Sequence, residues 1–197
     1  MQFILSAFLA IFSFQCFAIT SGSMAPDFKL PSASGKEVRL SDYKGKIVVL
    51  EWMNHGCPFV RKQYDSGNMQ ALQKKYTAKD VVWLSIISSA EGNQGYVNAA
   101  DALKEKKENF SVATNVLLDP TGDVGRMYEA KTTPHMYIVD KAGTLVYQGA
   151  IDSIADANKD SVKTAKNYVA SSLDELMAGK KVSQPATKSY GCGVKYK

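Results

Sequence analysis

Cysteine and histidine are scarce: the 197 residues hold three of one and two of the other. No C-x-x-C pair is present, because Val60 stands where the second thiol of such a motif would follow Cys57. Fast exchange inside a local dithiol is therefore excluded. No glycine-rich phosphate loop, zinc-finger spacing, serine-type catalytic set, internal repeat or interdomain linker occurs. Lys and Arg outnumber Asp and Glu by 24 to 19, for a net charge of +5. They are scattered, without a basic block interleaved with aromatics, so nucleic acid is not implied as a partner. Charge is missing altogether from Met1 to Ala18, where Phe3 to Phe14 is almost wholly apolar. That run is too short to be a good spanning helix, and it reads as a secretory signal peptide over residues 1–18. Phe14-Gln15 before Cys16 is a poor match to a lipidation site. The expectation is a periplasmic or secreted protein without stable membrane insertion after signal removal. It keeps two thiols, Cys57 and Cys192, enough for one disulfide.

What is present is organised around one stretch, Ile47 to Tyr64. It opens as an apolar run rich in β-branched residues, which predicts a buried strand. It breaks at Asn54-His55-Gly56 and resumes at Cys57-Pro58 with a helical pattern. Proline suits the first helical turn. Cys57 is thus placed where a strand meets a helix N-terminus, and free N–H groups and the helix dipole favour a thiolate there.

Around it the pattern predicts a hairpin from Ala25–Leu30 and Glu37–Leu40, and strands at Val81–Ile87, Asn115–Asp119, His135–Val139 and Thr144–Gly149. Helices are expected from Cys57, interrupted at Asp65-Ser66-Gly67-Asn68, then over Tyr96–Lys107 and Ala157–Ala178. A tail over 179–197 carries Cys192. The alternation indicates one α/β domain over 25–178 with a central mixed sheet flanked by helices.

The order of parts, with Ala25-Pro26-Asp27-Phe28, Leu40-Ser41-Asp42-Tyr43-Lys44-Gly45-Lys46, the Cys57 segment, Asp119-Pro120-Thr121-Gly122, and Thr133-Pro134 ahead of Ile138-Val139-Asp140-Lys141-Ala142-Gly143, resembles the alkyl hydroperoxide reductase/thiol-specific antioxidant (redoxin) branch of the thioredoxin superfamily. Asn54 to Arg61 and Tyr190-Gly191-Cys192-Gly193-Val194-Lys195 resemble a narrower peroxiredoxin-like subgroup. The resemblance implies a thioredoxin fold with an N-terminal β-hairpin extension and a C-terminal helix plus tail. It implies thiol-dependent, antioxidant oxidoreduction through Cys57, with Cys192 as resolving thiol. The substrate would be a peroxide or a thiol/disulfide protein, with an external thiol as reductant and no cofactor. By the same resemblance, Thr133-Pro134 holds the cis-proline that faces the active cysteine and offers backbone to a bound chain. Glu51, six residues before Cys57, stands where thioredoxins keep a buried carboxylate, and by that resemblance it is expected to relay protons to the cysteine chemistry. Peroxiredoxins carry Thr or Ser three residues before their cysteine and Pro seven before; here Asn54 and Leu50 occupy those positions.

His55 and His135 are both expected close to Cys57, to tune the thiolate or contact substrate. Arg61, one turn past Cys57, and the more remote Arg126 are candidates to stabilise an anion. Trp52 and Gly95-Tyr96 are expected to line or support the site, and Trp83 to lie in the core. Two alternatives stay open: a metal-delivery module using His55, Cys57 and His135, and a non-catalytic binding domain that keeps the proline groove. Oligomeric state is not indicated.

Overall fold

Apolar runs bounded by turn residues become strands of one sheet in the computed structural model, which describes residues 19–197. The expected signal peptide over 1–18 lies outside the described residues. In chain order the elements are β1 (Lys29–Pro31), β2 (Glu37–Arg39), β3 (Val48–Trp52), α1 (Pro58–Asp65), α2 (Asn68–Thr77), β4 (Val82–Ile87), α3 (Ala99–Glu108), β5 (Asn115–Leu118), α4 (Asp123–Met127), β6 (Thr132–Thr133), β7 (His135–Val139), β8 (Leu145–Gly149), α5 (Tyr168–Met177) and β9 (Cys192–Gly193). The main sheet runs β5-β4-β3-β7-β8, parallel from β5 to β3 and antiparallel from β3 to β8. The mixed sheet and the N-terminal hairpin of β1 and β2 are as the sequence predicts.

β3 is central and buried along its whole length, which is why it reads as a continuous apolar run. Its side chains alternate between two cores. Val49 faces a cluster built with α1, α2, α3 and α5, while Val48, Leu50 and Trp52 face one closed by the hairpin and Val124 of α4. Glu51 points to the helical side, opposite Ser85 on β4 and Met136 on β7. Gly67, at φ +75, breaks α1 from α2 where the sequence places an interruption.

Two helix boundaries differ from expectation. α3 begins at Ala99 rather than Tyr96, because the Asn98 side chain accepts from Asp101 N–H and caps it there. The helix expected over Ala157–Ala178 is two pieces, a 3-10 turn at Lys159–Lys163 and α5. Asn158 and Asn167 cap each piece. Between them Lys166 bonds Ser153 through both its N–H and its carbonyl, and the Tyr168 N–H that opens α5 donates to the Ile151 carbonyl. The apolar stripe through Val162 and Ala165 ignored these caps.

The tail is laid against the sheet edge. Thr187 bonds Gln148 and Ala150, and Val194 N–H donates to the Lys131 carbonyl. β9 pairs antiparallel with β6, setting Cys192 opposite Thr133.

Candidate active site

Cys57 is the N-cap of α1, with Pro58 in the first turn and its own carbonyl accepting from Val60 and Arg61 N–H. The turn before it is held by Asn54. The Asn54 carbonyl accepts from Cys57 N–H at 2.9 Å, and its Oδ1 accepts from Gly56 N–H at 2.8 Å. Asn54 Nδ2 donates to the carbonyl and side-chain oxygens of Gln94. Gly95 packs so tightly on this amide that a Cβ would collide with it. Asn54 and Gly95 therefore brace the cysteine turn, and the amide is directed at backbone and Gln94.

Across from it, the Thr133–Pro134 peptide is cis, as the resemblance implies. The Cys57 sulfur is fully buried and lies 3.1 Å from the Thr133 carbonyl oxygen. The β6–β9 pair brings in the second thiol: Cys192 Sγ is 2.7 Å from Cys57 Sγ, although 135 residues separate them. That is inside ordinary sulfur–sulfur contact and outside the ~2.05 Å of a covalent bond; both cysteines are free. Burial pushes the Cys57 thiol up, but hydrogen bonds from Cys192, the Val60 N–H and the Thr133 side chain outweigh it and hold its pKa below the ordinary value. Cys192 moves the other way, to about 11, through burial and through its hydrogen bond and proximity to Cys57. The pair is therefore unequal: Cys57 is the more acidic thiol and Cys192 the less acidic one.

Glu51 is fully buried and accepts from four neutral donors: Trp83 Nε1 at 2.7 Å, Ser85 Oγ and Tyr64 OH at 3.0 Å, and Gln73 Nε2 at 3.3 Å. Burial still dominates and raises its pKa. Trp83 is core, as expected, and it is also a Glu51 donor. His55 stacks edge-on against Tyr64, which bonds Glu51. The Nδ1 of His55 is buried with no partner, and burial, with Arg61 nearby, lowers its pKa to about 4. His135 sits opposite Trp52 in the β3–β7 register; its Nδ1 meets Lys131 N–H and Tyr137 OH. Burial, then Lys131, takes it to about 4 as well. Both histidines are thus neutral at neutral pH.

The arginines are directed elsewhere. Arg61 makes an exposed ion pair with Asp65 at 3.1 Å. Arg126 bonds the Thr121 carbonyl and stacks over the Tyr196 ring near the end of the tail. Trp52 is buried, donating to Ser88 Oγ. Tyr96 lines a separate small cleft with Ile87 and Pro120. Among the described residues no three His, Cys, Asp or Glu side chains converge as a metal requires, so the set His55, Cys57 and His135 is not assembled. Sequence reasoning missed Tyr64, Gln73 and Ser85 around Glu51. Period and polarity place them on elements but not against one strand.

The comparisons agree with this geometry. A relative named thioredoxin-like protein YneN, from Bacillus subtilis, is 31% identical over 64% of this chain and 69% of its own length. The thiol-disulfide oxidoreductase ResA of Geobacillus kaustophilus is 29% identical over 64% and 67%. The crystal structure of an uncharacterized conserved protein from Geobacillus kaustophilus superposes with a TM-score of 0.76 at 27% identity, covering 90% of this chain and 92% of that one. The model of the AhpC/TSA family matches residues 21–148, from the lead into the hairpin through the Cys57 helix and the cis-proline to β8. With most of the chain matched and the cysteine, helix and proline in place, the protein belongs to the AhpC/TSA family, on a thioredoxin fold.

Proposed function

We propose that the protein is an exported thiol–disulfide oxidoreductase in which Cys57 is the nucleophile and Cys192 resolves it within the same chain. The observation that carries this is the 2.7 Å approach of the two sulfurs beside the cis-proline. Peroxide is the less favoured oxidant, because Asn54 and Arg61 are both engaged away from the sulfur. The charge-free apolar start of the chain and the pair of thiols support export to an oxidising compartment.

The step runs as thiol–disulfide exchange. The Cys57 thiolate attacks one sulfur of a substrate disulfide, a new S–S bond forms, and the other substrate sulfur leaves as thiolate. Cys57 then carries no charge. Two of the causes that hold Cys192 protonated, its bond to Cys57 and the Cys57 charge, are thereby removed. Cys192 yields its proton to the departing thiolate and attacks Cys57, and the second substrate thiolate leaves. The substrate is reduced to two thiols and the protein is oxidised to one disulfide, which an external thiol reductant resets. Cys57 is buried, so the β9 strand lifts from β6 for a substrate chain to enter. The pairing of β9 with β6 is two residues long, flanked by the Val194 N–H bond to the Lys131 carbonyl.

The test is peptide-level mass spectrometry after stoichiometric oxidised glutathione or hydrogen peroxide. Glutathione disulfide should yield a Cys57–Cys192 disulfide in the monomer, and Cys192→Ser should stop at a Cys57–glutathione adduct. Thiols untouched by either oxidant would sink the reading. Reaction with peroxide alone would move the assignment to a peroxidase.

A further inference from the structure

A buried carboxylate, Asp152, receives hydrogen bonds from both cysteine-bearing segments. From α1, Gln63 Nε2 donates to its Oδ2 at 2.6 Å and Lys62 Nζ lies 3.5 Å away. From the tail, Tyr190 OH donates to its Oδ1 at 2.5 Å. The Lys62 amine is wholly buried, and it also bonds the Ile154 carbonyl at 2.6 Å and pairs with Asp156 at 3.2 Å. The Tyr190 ring packs against Phe59 at the start of α1 and under the Lys62 amine. Burial and the Asp152 charge raise the Tyr190 phenol well above its usual range, so it remains a donor at neutral pH.

Lys62 and Gln63 share a rigid helix with Cys57, and Tyr190 is two residues from Cys192. A chain spans at most about 7 Å over two residues, so fixing the phenol leaves Cys192 little freedom. We propose that Tyr190 and Asp152 are positioning residues: they clamp the tail to α1 and thereby set the effective concentration of Cys192 at Cys57. This rests on the disulfide reading above and adds to it the device that brings the two thiols together. An ion pair of Lys62 and Asp152 alone would serve stability. The tyrosine bond is what couples it to the tail.

The relevant equilibrium is the two protein thiols plus oxidised glutathione giving the protein disulfide and two reduced glutathiones. Its constant is an effective concentration of one thiol at the other. Tyr190→Phe keeps the ring and deletes a hydrogen bond to a buried charge. The expected result in a glutathione redox titration is a constant about tenfold lower than wild type, equivalent to a reduction potential about 30 mV less negative, with far-ultraviolet circular dichroism unchanged. Asp152→Asn should lower the constant further and also reduce the melting temperature, since it removes one of the two carboxylates beside a buried lysine. If Asp152→Asn does not fold, Tyr190→Phe decides alone. A Tyr190→Phe constant within twofold of wild type would overturn the clamp while leaving the oxidoreductase reading intact. Failure of the wild type to form any disulfide overturns both, and shows before a variant is made.

Discussion

At the scale of the residue, the site is a division of labour between like groups. Two thiols in contact cannot both ionise, and hydrogen bonds from Cys192 and from the Val60 N–H at the helix N-terminus favour Cys57. Iodoacetamide applied to reduced Cys192→Ser should therefore modify Cys57 below its ordinary titration range. In Cys57→Ser, Cys192 should lose the part of its raised pKa that comes from Cys57 and keep the part that comes from burial. Equal pKa values for the two single-cysteine variants would contradict the assignment. The histidines give a second residue-scale prediction. A histidine whose folded pKa is depressed contributes stability above its unfolded pKa and loses it as pH falls through the folded value. For His135 that window runs from 6.5 down to about 4, and the full effect is roughly 3 kcal/mol. Glu51 acts in the opposite sense, because its folded pKa is raised. It is common to wild type and to His135→Gln, so the difference between the two isolates the histidine. Urea unfolding from pH 7 to 4 should show wild type losing stability faster than His135→Gln. Parallel curves would mean that His135 does not titrate on unfolding.

At the scale of the element, the opening proposed above falls on the tail strand. β9 is two residues long, and Gly191 beside it sits at φ +125, facing the Thr133 carbonyl so closely that a Cβ would collide with it. The clash is with backbone, so it cannot be relieved by a rotamer change. Gly191→Ala should push β9 off β6. Alkylation of Cys57 should then accelerate several-fold, and intramolecular disulfide formation should slow about tenfold, as effective concentration falls. Mass spectrometry of quenched time points reads both, and unchanged rates would show that β9 does not cover Cys57. Element boundaries also show where sequence patterns lose force. Cys57-Pro58 and Gly67 state the start of α1 and its break in local chemistry, and both hold. The final helix failed because Asn158 and Asn167 are caps, and a stripe of apolar residues at helical spacing does not reveal that Lys166 between them bonds to Ser153.

At the scale of the whole molecule, the proposed oxidation would tie the tail to the centre of the fold. A bond between Cys57 and Cys192 closes a loop across almost the entire domain. Loop-closure entropy sets an upper bound of about 5 kcal/mol on the stabilisation. Guanidinium unfolding should place oxidised protein above reduced protein by several kcal/mol, a difference absent from Cys192→Ser. If the two forms unfold together, the disulfide strains the fold as much as it constrains the unfolded chain.

The sequence by itself determined the sheet, the hairpin ahead of it and the cysteine at a strand-to-helix joint. Each of these is written in local signals, such as a run of β-branched residues or a proline in a first turn, whereas the proline opposite the cysteine came from the family resemblance. Glu51 in an apolar strand was legible as an anomaly, but its four donors were not, since they arrive from α1, α2 and β4. Only the tertiary structure decided that Cys192 meets Cys57, that Arg61 pairs with Asp65, and that Asp152 ties α1 to the tail. The physical reason is range. Propensity and capping act over a few residues, whereas these contacts are chosen by packing once the sheet has formed, and nothing in a tail of ordinary composition names the strand it will pair with.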